Sequence, residues 1–393
     1  MTNQEFLSKH IVERKGTNCM KWDDLTSLYG KEDLLPMWIA DTEFSTCDAI
    51  VNALHTRVSH GAFGYSVLPK DYISAFSGWM DRHYGLTIEK EWLRLSAGCV
   101  GAIALLVNAI TEPGDACVIM TPVYYPFHNV VKENGRKLVT CELIYEDGTF
   151  HIDYEAFEKA IVENDAKLFI QCSPHNPVGR VWTEDELKKV LSICRKHGVL
   201  VISDEIHQDI ALWGNRFIPA FSVAEGAYRD IVIVVTSVSK TFNLPGLMHS
   251  HVLIPNAELR AKYDALTQRL HCFNTNVLGQ VAARAGYLYG DEWHKAFISV
   301  IESNYNYMKD TIAARAPEIT VCKLEGTFLP LLDLSKVVDP KRMHSFMVDQ
   351  CGMAVDYGEQ FGAGYEGFIR LNIATDPKIL ADAVERILKA IGK

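Results

Sequence analysis

The stretch Ile231-Val232-Ile233-Val234-Val235-Thr236, continued by Ser237-Val238-Ser239-Lys240-Thr241-Phe242-Asn243, is an apolar, β-branched run that gives way to small polar residues and a lysine. A run of this kind reads as a strand covered on both faces. Lys240 is therefore delivered by the end of a buried strand, where a lysine is rarely found unless it is paired or chemically employed. Burial depresses an amine's pKa, and a neutral amine can condense with a carbonyl or take up a proton.

Working outward, the flanking sequence repeats the pattern. Ala116–Met120, Lys137–Cys141, Leu168–Cys172, Val199–Ser203 and Val252–Ile254 are further strand candidates. Helices are predicted between them at Tyr125–Asn134, Tyr154–Glu163 and Glu184–His197. The last is opened by Thr183 with Glu186 three residues on, a capping-box signature, and is stopped by Gly198. Strand–helix alternation predicts an α/β fold with a doubly wound, mostly parallel sheet. Beyond it the chain reads as a smaller α+β layer. It is helical over 276–314, has strand candidates Ile319–Lys323, Leu329–Leu334 and Phe368–Ile373, and closes with a helix Pro377–Ile391. The expected division is an N-terminal segment 1–45, irregular and packed with the small domain, a large domain 46–280 and a small domain 281–393.

Composition narrows the function classes. The chain has 393 residues, enough for a large and a small domain, with 48% hydrophobic and 22% charged residues. A net charge of −10 is no footprint for nucleic acid. Met1-Thr2-Asn3-Gln4-Glu5-Phe6 lacks the apolar core of a signal peptide. The longest uncharged stretch, Leu95 to Thr111, is shorter than a membrane span of about 20 residues and reads as a buried loop and helix. None of the ten cysteines forms a C-x-x-C pair, so a zinc ribbon has no support and a reducing cytoplasm fits. His249-Ser250-His251 would place two imidazoles on one side of a strand, a weak metal motif.

Ligands of doubly wound sheets bind beyond the carboxyl ends of the strands. Those ends here carry Ser173-Pro174-His175-Asn176-Pro177-Val178-Gly179, Asp204-Glu205-Ile206-His207 and Ser237-Val238-Ser239-Lys240, and Ala97-Gly98-Cys99-Val100-Gly101 precedes a helix. Each has a plain structural reading. Asn-Pro is a turn, Asp204 a helix cap, G-x-x-G a matter of backbone fit, and Lys240 a side chain reaching the surface. Taken together they are more coherent. A glycine-bearing helix start offers N–H groups to a phosphate, a buried carboxylate can hold a ring nitrogen protonated, and a lysine can bear an aldehyde. Those are the requirements of pyridoxal phosphate.

The chain resembles the fold-type I pyridoxal-phosphate enzymes of the aspartate-aminotransferase superfamily. Within it the chain is most similar to the cystathionine β-lyase (C–S β-lyase) branch related to class II aminotransferases. The strings that carry the likeness are Leu35-Pro36-Met37-Trp38-Ile39-Ala40-Asp41, Gly64-Tyr65, Pro122-Val123-Tyr124-Tyr125-Pro126-Phe127, His175-Asn176-Pro177-Val178-Gly179-Arg180, Ser203-Asp204-Glu205-Ile206-His207 and Ser239-Lys240-Thr241-Phe242-Asn243. The resemblance implies that Lys240 carries the cofactor's aldehyde and transfers protons, and that Asp204 pairs with the pyridine nitrogen. It implies that Asn176 bonds the ring's O3′ and lies near the substrate carboxylate, and that Tyr124 stacks on the ring. Gly98, Cys99 and Val100 would meet the phosphate with backbone amides, helped by Ser237 and Ser239. Tyr65 would reach the phosphate of a neighbouring subunit, so that the active site lies at a homodimer interface. Arg370 would clamp the substrate carboxylate, for which its planar fork is suited, with Asp41 and Tyr124 also at the substrate. Two departures stand out. His207 replaces the tyrosine many relatives place three residues after the aspartate, and Met248 replaces an arginine that many set against the phosphate.

The implied activity is β-elimination of an S-substituted L-cysteine such as cystathionine, giving a thiol, pyruvate and ammonia. Transamination of neutral or aromatic amino acids uses the same lysine and stays open, since Trp38, Phe63, Tyr124 and Tyr125 would tolerate such side chains. Some relatives of the branch also bind a transcription regulator, a role for which no surface is evident in this sequence.

Overall fold

The computed structural model of the chain describes residues 1–272 and 275–393. Its centre is a seven-stranded sheet in the order Leu93–Ser96, Ser250–Leu253, Val232–Thr236, Leu200–Asp204, Leu168–Cys172, Ala116–Thr121, Lys137–Glu142. Ser250–Leu253 runs antiparallel to both its neighbours, and the remaining pairings are parallel. The strands Ala116–Thr121, Leu168–Cys172 and Val232–Thr236 are buried at every position, which explains their mostly apolar sequence. Cys99–Ile110, Pro126–Glu133 and Ala257–Arg269 share an apolar layer on one face of the sheet, with Ile103, Leu106, Phe127, Ile202 and Tyr263 inside it.

The expected doubly wound sheet is present, with one strand that the sequence reading did not resolve. Leu93–Ser96 pairs with Ser250–Leu253 at the sheet edge, so the start of the Leu95–Thr111 stretch is strand rather than loop. The capping box before Glu184–Lys196 forms as expected, and Gly198 takes the left-handed conformation (φ +69°). The helical stretch 276–314 is two helices, Val277–Tyr289 and Asp291–Arg315. They part at Gly290, where a Cβ would run into the ring of Phe242.

A four-stranded antiparallel sheet follows in the order Thr320–Val321, Leu331–Asp333, Phe368–Arg370, Asp356–Tyr357. The N-terminal segment is not irregular throughout. Asn3–His10 is a helix closed by a Thr2–Glu5 capping box, and Phe6 on it packs against Phe44 and Trp293. Leu35–Pro36 then pairs in parallel with Met353–Ala354, which ties the segment to the C-terminal part of the chain. Among the described residues no helix is long and apolar enough to cross a membrane.

Candidate active site

Parallel register sets the site. Cys172 and Val235 are the partners of Asp204 on the two neighbouring strands, so the strand ends leading to Asn176, Asp204 and Lys240 lie side by side. All open on the carboxyl edge of the sheet, the expected place for a ligand.

Lys240 is enclosed. Its Nζ donates to the carbonyl of Ala40 at 2.6 Å. Burial pushes its pKa down to about 8, against the attraction of Asp41, so about a tenth is neutral at pH 7. Asp204 is buried as well. Its Oδ1 accepts from the N–H of Ile206 at 3.1 Å, while Oδ2 has no hydrogen-bond partner among the described residues. Burial drives this carboxyl up to about 7. The adjacent Glu205 is driven to about 8 by burial and points elsewhere, accepting from Ser203 Oγ and Ala220 N–H at 2.9 Å each. His207 is fully buried, with its Nδ1 unpartnered among the described residues. Burial, then the positive charges of Lys240 and Arg370, hold its imidazole neutral.

The phosphate cup begins at Gly98, whose φ of +98° suits glycine, and continues into the helix Cys99–Ile110. The first intrahelical bond is from Ala102 N–H to Gly98 C=O at 3.1 Å. The amides of Cys99, Val100 and Gly101 are thus without a partner in the helix and point outward from its start. Met248, itself at φ +46°, brings its terminal methyl to 3.7 Å from where a Cβ on Gly98 would stand. The serine pair is less symmetric than the sequence implied. Ser237 Oγ donates to the carbonyl of His249 at 2.7 Å and accepts from Ser239 N–H at 3.0 Å, which ties it into the turn. The hydroxyl of Ser239 is the one left to face a ligand.

At the substrate end, Arg370 donates from Nη1 to Asn176 Oδ1 at 2.8 Å and from Nη2 to Asp356. Asn176 keeps its amide N–H groups for another partner, and its carbonyl accepts from Tyr124 N–H at 3.0 Å. Tyr124 lies 5.5 Å from Tyr125, ring centre to ring centre, and edge-on to Phe127. Asp41 does not present a free carboxylate. Both of its oxygens are held by Arg14, at 2.8 and 2.6 Å, and the segment acts on Lys240 through the neighbouring carbonyl of Ala40. Asn372 and Asn243 fasten the same segment through the carbonyls of Ile39 and Asp41 and of Thr42 and Phe44. Trp38 is buried in a separate cluster with Leu25, Leu34 and Ala354.

Tyr65 and Phe63, like Trp38, do not join the site within one chain. Tyr65 is fully exposed and lines a surface cleft of about 750 Å³ with Gly246, Leu247 and Asn276. Phe63 lines the same cleft, exposed beneath the guanidinium of Arg57. His249 and His251 meet at the hydroxyl of Tyr72, at 2.5 and 2.6 Å, under Phe76 and Tyr287. Sequence reasoning missed Arg14, the Ala40 carbonyl and Asp356. None carries a local signal, because each meets its partner only across a long stretch of chain.

The set fits pyridoxal phosphate on these observations. Asp204 Oδ2 lacks the donor that a protonated ring nitrogen would supply, three amides and a left-handed glycine await an anion, and an amine of depressed pKa stands beside them. Comparison with known proteins agrees. The family model of aminotransferase class I and II matches residues 39–387. Cystathionine β-lyase PatB of Bacillus subtilis is 37% identical over 97% of this chain and 98% of its own. Among solved structures, cystalysin of Treponema denticola, which contains a pyridoxal 5′-phosphate cofactor, superposes with a TM-score of 0.93 at 33% identity over 97% of each chain. The pyridoxal-phosphate-bound C–S lyase of Staphylococcus hominis gives 0.91 at 33%, over 98% of this chain and 97% of that one.

Proposed function

The chain belongs to the aminotransferase class I and II family, and on that premise we propose that it is a pyridoxal-phosphate-dependent carbon–sulfur β-lyase of S-substituted L-cysteines, cystathionine foremost. The observation that carries the reading is a half-buried Lys240 amine of lowered pKa beside a buried, half-partnered Asp204 carboxyl, in a chain alike over nearly its whole length to C–S lyases.

When bound, the cofactor supplies an electron sink for the charge left at the substrate's Cα. The chain's residues do the rest. Asp204 holds a proton on the ring nitrogen through a charge-assisted hydrogen bond. Cys99, Val100 and Gly98, with Ser239 and to a lesser degree Ser237, take the phosphate at the helix start. Asn176 would turn its amide toward O3′ and Tyr124 would cover the ring, with neutral His207 buried close to Lys240 and Arg370. Arg370 orients the substrate carboxylate. Lys240, held by the Ala40 carbonyl, removes the α-proton. A thiolate leaving from Cβ then yields a thiol, and the remaining fragment hydrolyses to pyruvate and ammonia.

The chain divides in this reading into a segment 1–45 that joins a small domain 281–393, and a large cofactor-binding domain 46–280. It works in the cytoplasm as a homodimer. Support for the dimer comes from Phe63, Tyr65 and Val67, which leave a strip of apolar surface beside the cleft at Gly246. Tyr65 would cross to the partner's phosphate. Sedimentation tests this, and a fully active monomer would overturn it. The activity is tested by pyruvate release from cystathionine without an added keto acid. Turnover that requires a keto-acid acceptor would instead make the enzyme an aminotransferase.

A further inference from the structure

Asp356 and Arg370 are register partners on two antiparallel strands, both buried, with their side chains in an ion pair. Arg370 is also held by Asn176 Oδ1 at 2.8 Å and lies 4.9 Å from the centre of the Phe361 ring. Its Nε has no partner among the described residues. Arg370 is the sole ion-pair partner of Asp356 among the described residues, and the surroundings of that carboxylate include Tyr29, Tyr124 and Tyr125, which carry no charge to balance it. Both terminal nitrogens of the clamp therefore already have a partner, and its positive charge is already matched, before any substrate arrives. A substrate carboxylate entering beside this pair places two negative charges on one guanidinium in a site with little water to screen them.

Resting on the functional reading above, we propose that Asp356 is a positioning residue for the substrate: it aims the Arg370 fork and, by its charge, competes with the α-carboxylate for it. The aim comes from the hydrogen bond, which a neutral amide can also accept. The competition comes from the charge, which an amide lacks. The two roles can thus be separated by one isosteric change. The site takes ligands bearing an α-carboxylate but holds them loosely, and a neutral carboxamide in the same place is not penalised.

The test uses holoenzyme and two ligands without a leaving group, L-alanine and L-alaninamide, whose binding is read from the change in the cofactor's visible absorbance. In Asp356→Asn, L-alanine is expected to bind about tenfold tighter, the gain of one decade from removing a like charge a few ångströms away. L-Alaninamide is expected to stay within about twofold of wild type. Asp356→Glu, which keeps the charge, should not tighten L-alanine. Asp356→Ser, smaller and neutral, should move as the asparagine variant does if that one fails to fold. With substrate, the gain should appear in KM rather than kcat. Unchanged or weaker L-alanine binding by the neutral variants, or equal tightening of both ligands, would overturn the proposal. Failure of the functional reading would show separately, as wild-type enzyme that binds L-alanine yet releases no pyruvate from an S-substituted cysteine.

Discussion

Replacing Asp204 by asparagine in the cofactor-free protein should make it more stable at pH 8 and remove about half of its loss of stability between pH 5 and 7. The reason lies in the strand end. Asp204 is buried, accepts one backbone hydrogen bond at 3.1 Å and has no cation in contact among the described residues, and its carboxyl stands at about 7 against an ordinary 3.8. A carboxyl raised in the folded state keeps its proton there while the unfolded chain has lost it. Stability is therefore undiminished below about pH 4, falls as pH rises through the window up to about 7, and falls no further above it. The ionised form costs the folded protein roughly 4 kcal/mol relative to the unfolded chain. Glu205, raised to about 8, adds a similar slope that both proteins share. Urea unfolding of wild type and Asp204→Asn, each freed of cofactor, at pH 5, 6, 7 and 8 isolates the Asp204 part as the difference between the curves. The two proteins should converge near pH 4 to 5 and differ by a few kcal/mol at pH 8. Parallel curves across pH 5–7 would refute the reasoning, because Asp204 would then already be compensated without the ring nitrogen. With cofactor bound the order should reverse, since only the carboxylate can hold a ring proton.

Three further outcomes are expected. Cofactor uptake by the apoprotein, followed by visible absorbance, should speed up through about pH 8 as Lys240 loses its proton, and Lys240→Ala should show neither that band nor turnover; a rate that climbs only above about pH 10 would place the amine in solvent. Arg14→Met strips the partner from Asp41 and should cost about 2 kcal/mol in urea unfolding. It should also lower kcat about tenfold by loosening the Ala40 carbonyl on Lys240, with Arg14→Lys recovering part of the loss. Gly290→Ala drives a methyl into Phe242 where the two helices part, and should destabilise by about 2–3 kcal/mol without altering the cofactor's spectrum.

Much of the site was legible because it is written at strand ends. In a parallel sheet, consecutive β–α units deliver their strand-terminal residues to one edge, so Asn176, Asp204 and Lys240 follow from three apolar runs and what comes after each. Other signals were present in the sequence and weaker. Thr2 and Glu5 form a capping box like that of Thr183 and Glu186, but the helix they open is short and mostly polar. Leu93-Arg94-Leu95-Ser96 alternates as an edge strand does, yet it runs straight into the helix start at Gly98 and reads as the approach to it.

The sequence by itself determined the sheet, the lysine and the anion-ready helix start, because those depend on neighbours in the chain, on short apolar runs and on a cap at fixed offsets. Tertiary structure alone decided how the site is held and tuned. Arg14 on Asp41, Ala40 on Lys240, and Asp356 on Arg370 are contacts between separate elements, made by residues whose own neighbourhoods look ordinary. The occupied fork of Arg370 is the plainest case. Asp356 lies fourteen residues away on another strand, and only antiparallel register brings its carboxylate against the guanidinium.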